Sequence, residues 1–170
     1  MATFVLVHGT TAGGWVWKRI AQRLQEAGHT VYRPTLTGLG ERVHLATREV
    51  GLTTHIQDVV NVIDYEDLSD VILVGHSYGG GVVDGVAEAI PERIREIVYL
   101  DAVIVADGES VADSAGPEAR AILGKQVVEQ GDGWLIPLQR GPNDLPGKNT
   151  PHPWKSWTDP LRRRHPAAAA

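Results

Sequence analysis

The segment Gly75-His76-Ser77-Tyr78-Gly79 follows an apolar run, Val71 to Val74, and leads through Gly80 and Gly81 into a helical pattern. A serine with a glycine two positions to either side, at a strand-to-helix junction, has the spacing of a nucleophile held out on a very tight turn. Such a turn forces the serine into an unfavourable backbone conformation, and a Cβ at either flanking position would collide across it. With 19 glycines and five serines in 170 residues, chance would give the pattern roughly 0.06 times, before any strand or helix is required. A serine so placed attacks a carbonyl carbon, and the negative charge that develops on oxygen needs donors. The backbone N–H of Tyr78, at a helix N-terminus, is one candidate. The loop His8-Gly9-Thr10-Thr11-Ala12-Gly13-Gly14 is expected to supply the second, with Thr10 N–H as the choice, because glycines let its backbone approach the same point.

Other residue types around these two loops carry less specific signals. His76 adjoins the nucleophile in sequence, which places it badly for taking the serine proton, and it reads as a wall of the turn. His8 reads as an orienting, hydrogen-bonded residue. These two and Trp134 are the candidate substrate contacts; Trp134, Trp154 and Trp157 lie in a segment expected to cover the site. His29, His44 and His55 are expected in surface or packing roles. The glycine run lacks the Lys-Ser/Thr of a P-loop, and no G-x-G-x-x-G can be read through it, so a phosphate cradle is set aside.

The elements that must position these loops come from periodicity. Phe4 to Val7, Thr30 to Arg33, Val71 to Val74 and Ile97 to Leu100 are short, β-branched apolar runs and predict strands. Trp17, Ile20, Ala21, Leu24 and Ala27 predict a helix over 15–27, ended by Gly28. Ile56, Val59, Val60 and Ile63 predict a second, with Thr54 as its cap and Gln57 reaching back. Val82, Val83, Val86, Ala87 and Ile90 predict a third, stopped by Pro91. Strand and helix alternate, which calls for a parallel sheet with helices on both faces. After Asp101 most of the ten prolines appear and buried-strand runs cease. Loops and short helices are expected there, including a helix from Pro117 to Gln130 with Ala121, Ile122, Lys125 and Val128 near one face. The organisation expected is a core over 1–102, a cap-like segment over 103–160 and a tail over 161–170.

Composition narrows the function classes. A chain of 170 residues with 42% apolar positions can bury a full core without disulfides or a structural metal. Having no cysteine, it offers no thiol nucleophile, disulfide framework or Cys-type zinc site. The formal charge of −5 argues against nucleic-acid binding, and the basic run Arg162 to Arg164 reads as a solvated tail. No apolar run approaches the length of a membrane span, and the start has no basic n-region, so a cytoplasmic location is expected.

With FVLVHGTTAGGWVW, RPTLTGLGERVHL, VILVGHSYGG and IVYLDAVIVADGES in this order, the chain resembles the α/β-hydrolase superfamily over residues of about 3 to 160. It looks closest to the compact branch of carboxylesterases, methylesterases and hydroxynitrile lyases. The resemblance implies Ser77 as the nucleophile, Thr10 and Tyr78 N–H groups as the oxyanion hole, no cofactor, no metal and a small-molecule ester as substrate. It also implies an acid after a seventh strand and a histidine after an eighth, neither of which is recognisable here, so the C-terminal strands are expected to be absent. Asp101, at the end of the strand after the elbow helix, is the candidate acid, and some superfamily members place theirs at that strand end. His152 and His165 are the histidines that follow the nucleophile, and His152 is the candidate base. The exposed sheet edge left beside Ile97 to Leu100 invites pairing with a second copy. The reading is a carboxylesterase acting through a Ser77 acyl-enzyme. The alternative is an inactive α/β-hydrolase scaffold that only binds ligand, and the lyase reaction on the same serine is a third possibility.

Overall fold

In a computed structural model, which describes residues 1–138 and 147–163, four parallel strands form the sheet in the order β2-β1-β3-β4. β1 is Thr3–Val7, β2 Thr30–Tyr32, β3 Val71–His76 and β4 Ile94–Leu100. All four strand expectations fall on these elements, with shifted ends. β4 begins three residues earlier than its apolar run, because Ile94 still pairs with Val71 before a register irregularity.

Alternation along the strands assigns the faces. Val5 and Val7 of β1 and Leu73 of β3 pack with Val59 and Ile63 of α2 (Leu52–Tyr65) and with Val82, Val83 and Val86 of α3 (Gly79–Ala89). Leu6 and Val74 point the other way, onto Trp17 and onto Ala21 of α1 (Lys18–Glu26). Helices therefore lie on both faces. α1 is preceded by a 3₁₀ turn over Gly14–Trp17, and Gly28 follows at φ +86°, the left-handed position expected of a helix-ending glycine. Ile20, expected on the buried stripe, is exposed, since only Trp17, Ala21 and Leu24 meet the sheet.

The start of α2 differs from its sequence reading. Gly51 is the N-cap, Thr54 sits at the third helical position with its hydroxyl accepting the Gly51 amide, and Gln57 bonds Asn61 on the exposed face. The cap that Gly51 cannot supply comes from Asp159, whose carboxylate accepts the Leu52 amide at 3.2 Å.

Beyond Asp101 the chain forms α4 (Val111–Ser114), α5 (Pro117–Gln130), a two-residue antiparallel pairing of β5 (Leu135–Ile136) with β6 (His152–Pro153), and α6 (Trp154–Thr158). α5 has the expected limits but not the expected face. Val127 is the buried residue, while Ile122 and Val128 are exposed. The β5–β6 pair was not legible in the proline-rich stretch. Nor does the expected tail begin at 161 as a solvated segment. Leu161 lies in the main core, and Arg163, in the basic run, pairs with the buried Asp84 of α3 at 3.2 Å and donates to the Val105 carbonyl. No helix of the described residues is long and apolar enough to cross a membrane.

Candidate active site

Ser77 stands between the end of β3 and the start of α3 at φ +52°, a left-handed conformation that costs a non-glycine residue about 1–2 kcal/mol. Neighbouring groups hold it there. Its amide donates to the Asp101 carbonyl at 3.2 Å, and its carbonyl accepts the Gly80 and Val103 amides at 3.0 Å each. The flanking glycines have the steric role expected of them. A Cβ on Gly75 would come within 2.8 Å of the Gly79 carbonyl oxygen, and one on Gly79 within 2.9 Å of the Val7 and His8 oxygens. Gly9 approaches from the other loop, where a Cβ would lie 3.0 Å from the Ser77 Cβ. The loop after β1 and the serine turn are thus in direct contact, as a shared oxyanion site needs.

Tyr78 is the N-cap residue of α3, ahead of the Gly80 and Gly81 amides that close onto Ser77 and Tyr78 carbonyls. Its side chain turns away from solvent and is fully buried. It stacks on Trp157 at 6.1 Å, meets His152 edge-on at 4.6 Å and donates its O–H to His55 Nδ1 at 2.8 Å. Burial raises the phenol far above its ordinary range.

Three histidines are fully buried around this turn, and hydrogen-bond partners fix each tautomer. His8 donates from Nδ1 to the Gly9 carbonyl and accepts the Leu36 amide at Nε2. His55 donates from Nε2 to the Thr37 carbonyl, leaving Nδ1 to accept the Tyr78 hydroxyl. His152 accepts the Thr11 amide at Nδ1, 3.3 Å away, and donates from Nε2 to Ser156 Oγ at 2.8 Å. Burial lowers all three pKa values, that of His8 to about 4.

The sequence-chosen residues therefore divide. Ser77, Tyr78, Thr10, Gly9 and Asp101 come together at one end of the sheet. Asp101 follows β4 at φ +45° with its side chain exposed; it touches the site through its carbonyl, and its carboxylate bonds none of the described histidines. His152 is brought close but faces elsewhere, since both of its ring nitrogens are taken by Thr11 and Ser156. His8 is likewise engaged at both nitrogens and buried, which removes it from substrate contact and makes it a brace of the loop. His76 is half-buried and packs edge-on against Trp17 at 6.2 Å. Trp134 lies under the Arg48 guanidinium, 5.6 Å from the ring centre. His165 lies outside the described residues. Thr10 Oγ1 is buried without a hydrogen-bond partner among the described residues.

Sequence reasoning missed Thr150, Ser156 and Asp159. The Thr150 amide donates to the Thr11 carbonyl at 2.9 Å, and its hydroxyl accepts the Gly40 amide at 3.0 Å. A cavity of about 360 Å³ borders this contact, lined by Trp15, Gly40, Glu41, Val43, Gly147, Lys148 and Thr150. The proximity of Thr150, His152 and Ser156 in Thr-Pro-His-Pro-Trp-Lys-Ser was the available signal, since prolines fix a segment whose polar side chains then bond elsewhere.

This fold and this turn define a class. The chain belongs to the alpha/beta hydrolase family, whose pattern it matches over residues 4–170. Among curated relatives it is 54% identical over 111 residues to the carbendazim hydrolyzing esterase of Nocardioides sp. (strain SG-4G), covering 65% of this chain and 46% of that one. It is 29% identical over 154 residues to methylesterase 18 of Arabidopsis thaliana, covering 84% of this chain and 55% of the relative. The chain thus spans about half the length of these proteins. Among solved structures, an extracellular alpha/beta-hydrolase from a Paenibacillus species, described as homologous to tobacco salicylic acid binding protein 2, superposes with a TM-score of 0.84 at 30% identity. That match covers 96% of this chain and 72% of the other.

Proposed function

We propose that this chain carries the nucleophile and oxyanion hole of a serine carboxylesterase that takes a small or medium apolar ester and needs no cofactor. The observation that carries the reading is Ser77, held at φ +52° between glycines that admit no side chain, at the N-terminus of α3. Ser77 Oγ adds to the ester carbonyl carbon, the carbonyl oxygen becomes an oxyanion facing the Thr10 and Tyr78 N–H groups, and the alcohol leaves with a proton. Water then adds to the acyl-serine and releases the acid. The relatives named as esterases support this reading. The carboxylate of Asp101, the candidate acid, bonds none of the described histidines, and the bonds of His152, the candidate base, to Thr11 and Ser156 leave it no free nitrogen. The lyase reaction would need a base at the same place.

A second reading has one observation in its favour. His8, His55 and His152 are all engaged at both ring nitrogens, so none of these three offers Ser77 a free acceptor. On that reading the chain binds the ester without turning it over, apart from the ~10³–10⁴-fold assistance that an oxyanion hole alone gives. A fluorophosphonate probe separates the two. Covalent labelling mapped to Ser77 by peptide mass spectrometry, with ester hydrolysis lost in Ser77→Ala, supports the esterase. No labelling, with wild type and Ser77→Ala hydrolysing p-nitrophenyl acetate equally, leaves only the binding scaffold.

A further inference from the structure

The oxyanion loop is held by more than its own neighbours in sequence, of which His8 bonds the Gly9 carbonyl. Thr11 sits at φ +60°, a conformation that a β-branched residue adopts only when its surroundings impose it. Both sides of its backbone are fixed by one short segment far along the chain. The Thr11 amide donates to His152 Nδ1, 141 positions away, and the Thr11 carbonyl accepts the Thr150 amide at 2.9 Å. The segment is itself braced, since Thr150 Oγ1 accepts the Gly40 amide and His152 is buried between Tyr78 and Ser156. Ser156 completes the relay by donating its hydroxyl to the Pro153 carbonyl at 2.8 Å, so its oxygen is free to accept from His152 Nε2. That arrangement leaves Nδ1 without a proton and therefore able to take the Thr11 amide.

The same imidazole packs against the ring of Tyr78, whose backbone N–H is the other oxyanion donor. One side chain thus reaches both loops of the hole, by a hydrogen bond to the residue after Thr10 and by packing on the side chain of Tyr78. The buried cost of a neutral histidine with two satisfied nitrogens is small, and the gain is geometric: two amides from different loops held in a fixed relation.

We propose that His152 is a positioning residue of the oxyanion hole: its Nδ1 fixes the Thr10–Thr11 peptide, which adjoins the Gly9–Thr10 peptide that carries the donor N–H. This inference rests on the reading of Thr10 N–H as an oxyanion donor and deepens it. It also explains why both nitrogens of His152 are committed, since a positioning residue must not be available to the substrate.

The test uses two shortened side chains that keep different halves of the ring. Asparagine at 152 places its Oδ1 where Nδ1 stands and can still accept the Thr11 amide. Glutamine places its terminal amide where Nε2 stands, keeping Ser156 and abandoning Thr11. If His152 positions the loop, His152→Asn retains Ser77-dependent ester hydrolysis within about threefold in kcat. His152→Gln loses at least about tenfold, with little change in KM, since a displaced oxyanion donor costs transition-state binding rather than substrate binding. Equal losses in the two variants, or a loss confined to KM, would overturn the role. A second measurement holds even where a variant fails to fold. In the ¹⁵N-labelled wild-type chain, a scalar coupling between the Thr11 amide nitrogen and His152 Nδ1, together with the Nε2–H tautomer, is expected; the Nδ1–H tautomer or an absent coupling would sink the proposal. If no hydrolysis depends on Ser77, the esterase reading falls and the positioning role with it. Ser77-dependent hydrolysis that ignores the choice of residue at 152 removes only the latter.

Discussion

Asp159 caps a helix that begins 107 residues earlier, its carboxylate accepting the Leu52 amide at 3.2 Å. Lys155, one turn back on α6, holds both carboxylate oxygens at 2.7 and 2.8 Å and so aims the group. Gly51 makes the approach feasible, because a Cβ there would overlap Asp159 Oδ2. Asp159→Ala is expected to destabilise the chain by about 1 kcal/mol, the usual worth of a helix cap. Gly51→Ala is expected to destabilise it too, although its backbone at φ −121° suits any residue. Urea unfolding of both variants and the double variant checks this. Since one substitution already displaces the carboxylate, the two losses should fall short of additive by most of the cap's worth.

The outer edge of β4 is unpaired among the described residues, and Val98 and Leu100 on one of its faces are 37% and 47% exposed. Unpaired backbone beside apolar side chains favours pairing with another chain, and a second copy of this one is the proposed occupant. Light scattering of the purified chain is expected to show concentration-dependent dimerisation that Val98→Lys weakens. A monomer at every concentration, unchanged by the substitution, would remove the edge as an interface.

What the sequence made legible was local. Ser77, its glycines and the four strands are written in contiguous residues whose spacing follows from backbone sterics and strand periodicity. What it concealed depends on contacts between distant segments. Nothing within a few residues of Thr54 says that the cap of α2 will come from Asp159. Nothing near Arg163 says that its guanidinium will be drawn down to Asp84 inside the fold. His152 was read as a candidate base because histidine types are visible in sequence, whereas the partners that occupy its nitrogens are not. The face of α5 was misplaced for a related reason: with few strong apolar residues to set a stripe, the contacts made by Val127 decide which side is buried.

The three buried histidines make stability depend on acid. Each is neutral in the folded chain, and burial holds each pKa below 6.5, that of His8 at about 4. The unfolded chain takes up these protons as the pH falls below 6.5, while the folded chain resists. Unfolding therefore binds protons, and stability falls with falling pH, by up to about 1.4 kcal/mol per pH unit for each histidine involved. For His8 the loss is complete near pH 4. Asp84 acts in the opposite sense, since burial raises its carboxyl, but it is one group against three. Thermal unfolding between pH 7.5 and 4.5 should show Tm falling most steeply below pH 6.5. His8→Gln, which removes one of the three, should flatten the profile. A Tm independent of pH across that range would contradict the buried, neutral assignment.

Ser77 itself is expected to weaken the fold. At φ +52° its Cβ is strained, and the position is imposed by the Asp101 carbonyl on one side and the Gly80 and Val103 amides on the other. Glycine adopts this conformation without a steric cost but loses more backbone entropy on folding, about 0.5–1 kcal/mol, against the strain of about 1–2 kcal/mol that it relieves. Ser77→Gly should therefore be more stable than the wild type by up to about 1.5 kcal/mol while losing probe labelling altogether. Ser77→Ala keeps the Cβ and should show the same loss of labelling with little gain in stability. Urea midpoints of the three chains separate the two effects. If Ser77→Gly proves no more stable than Ser77→Ala, the strain at residue 77 does not exceed the backbone entropy that glycine loses on folding.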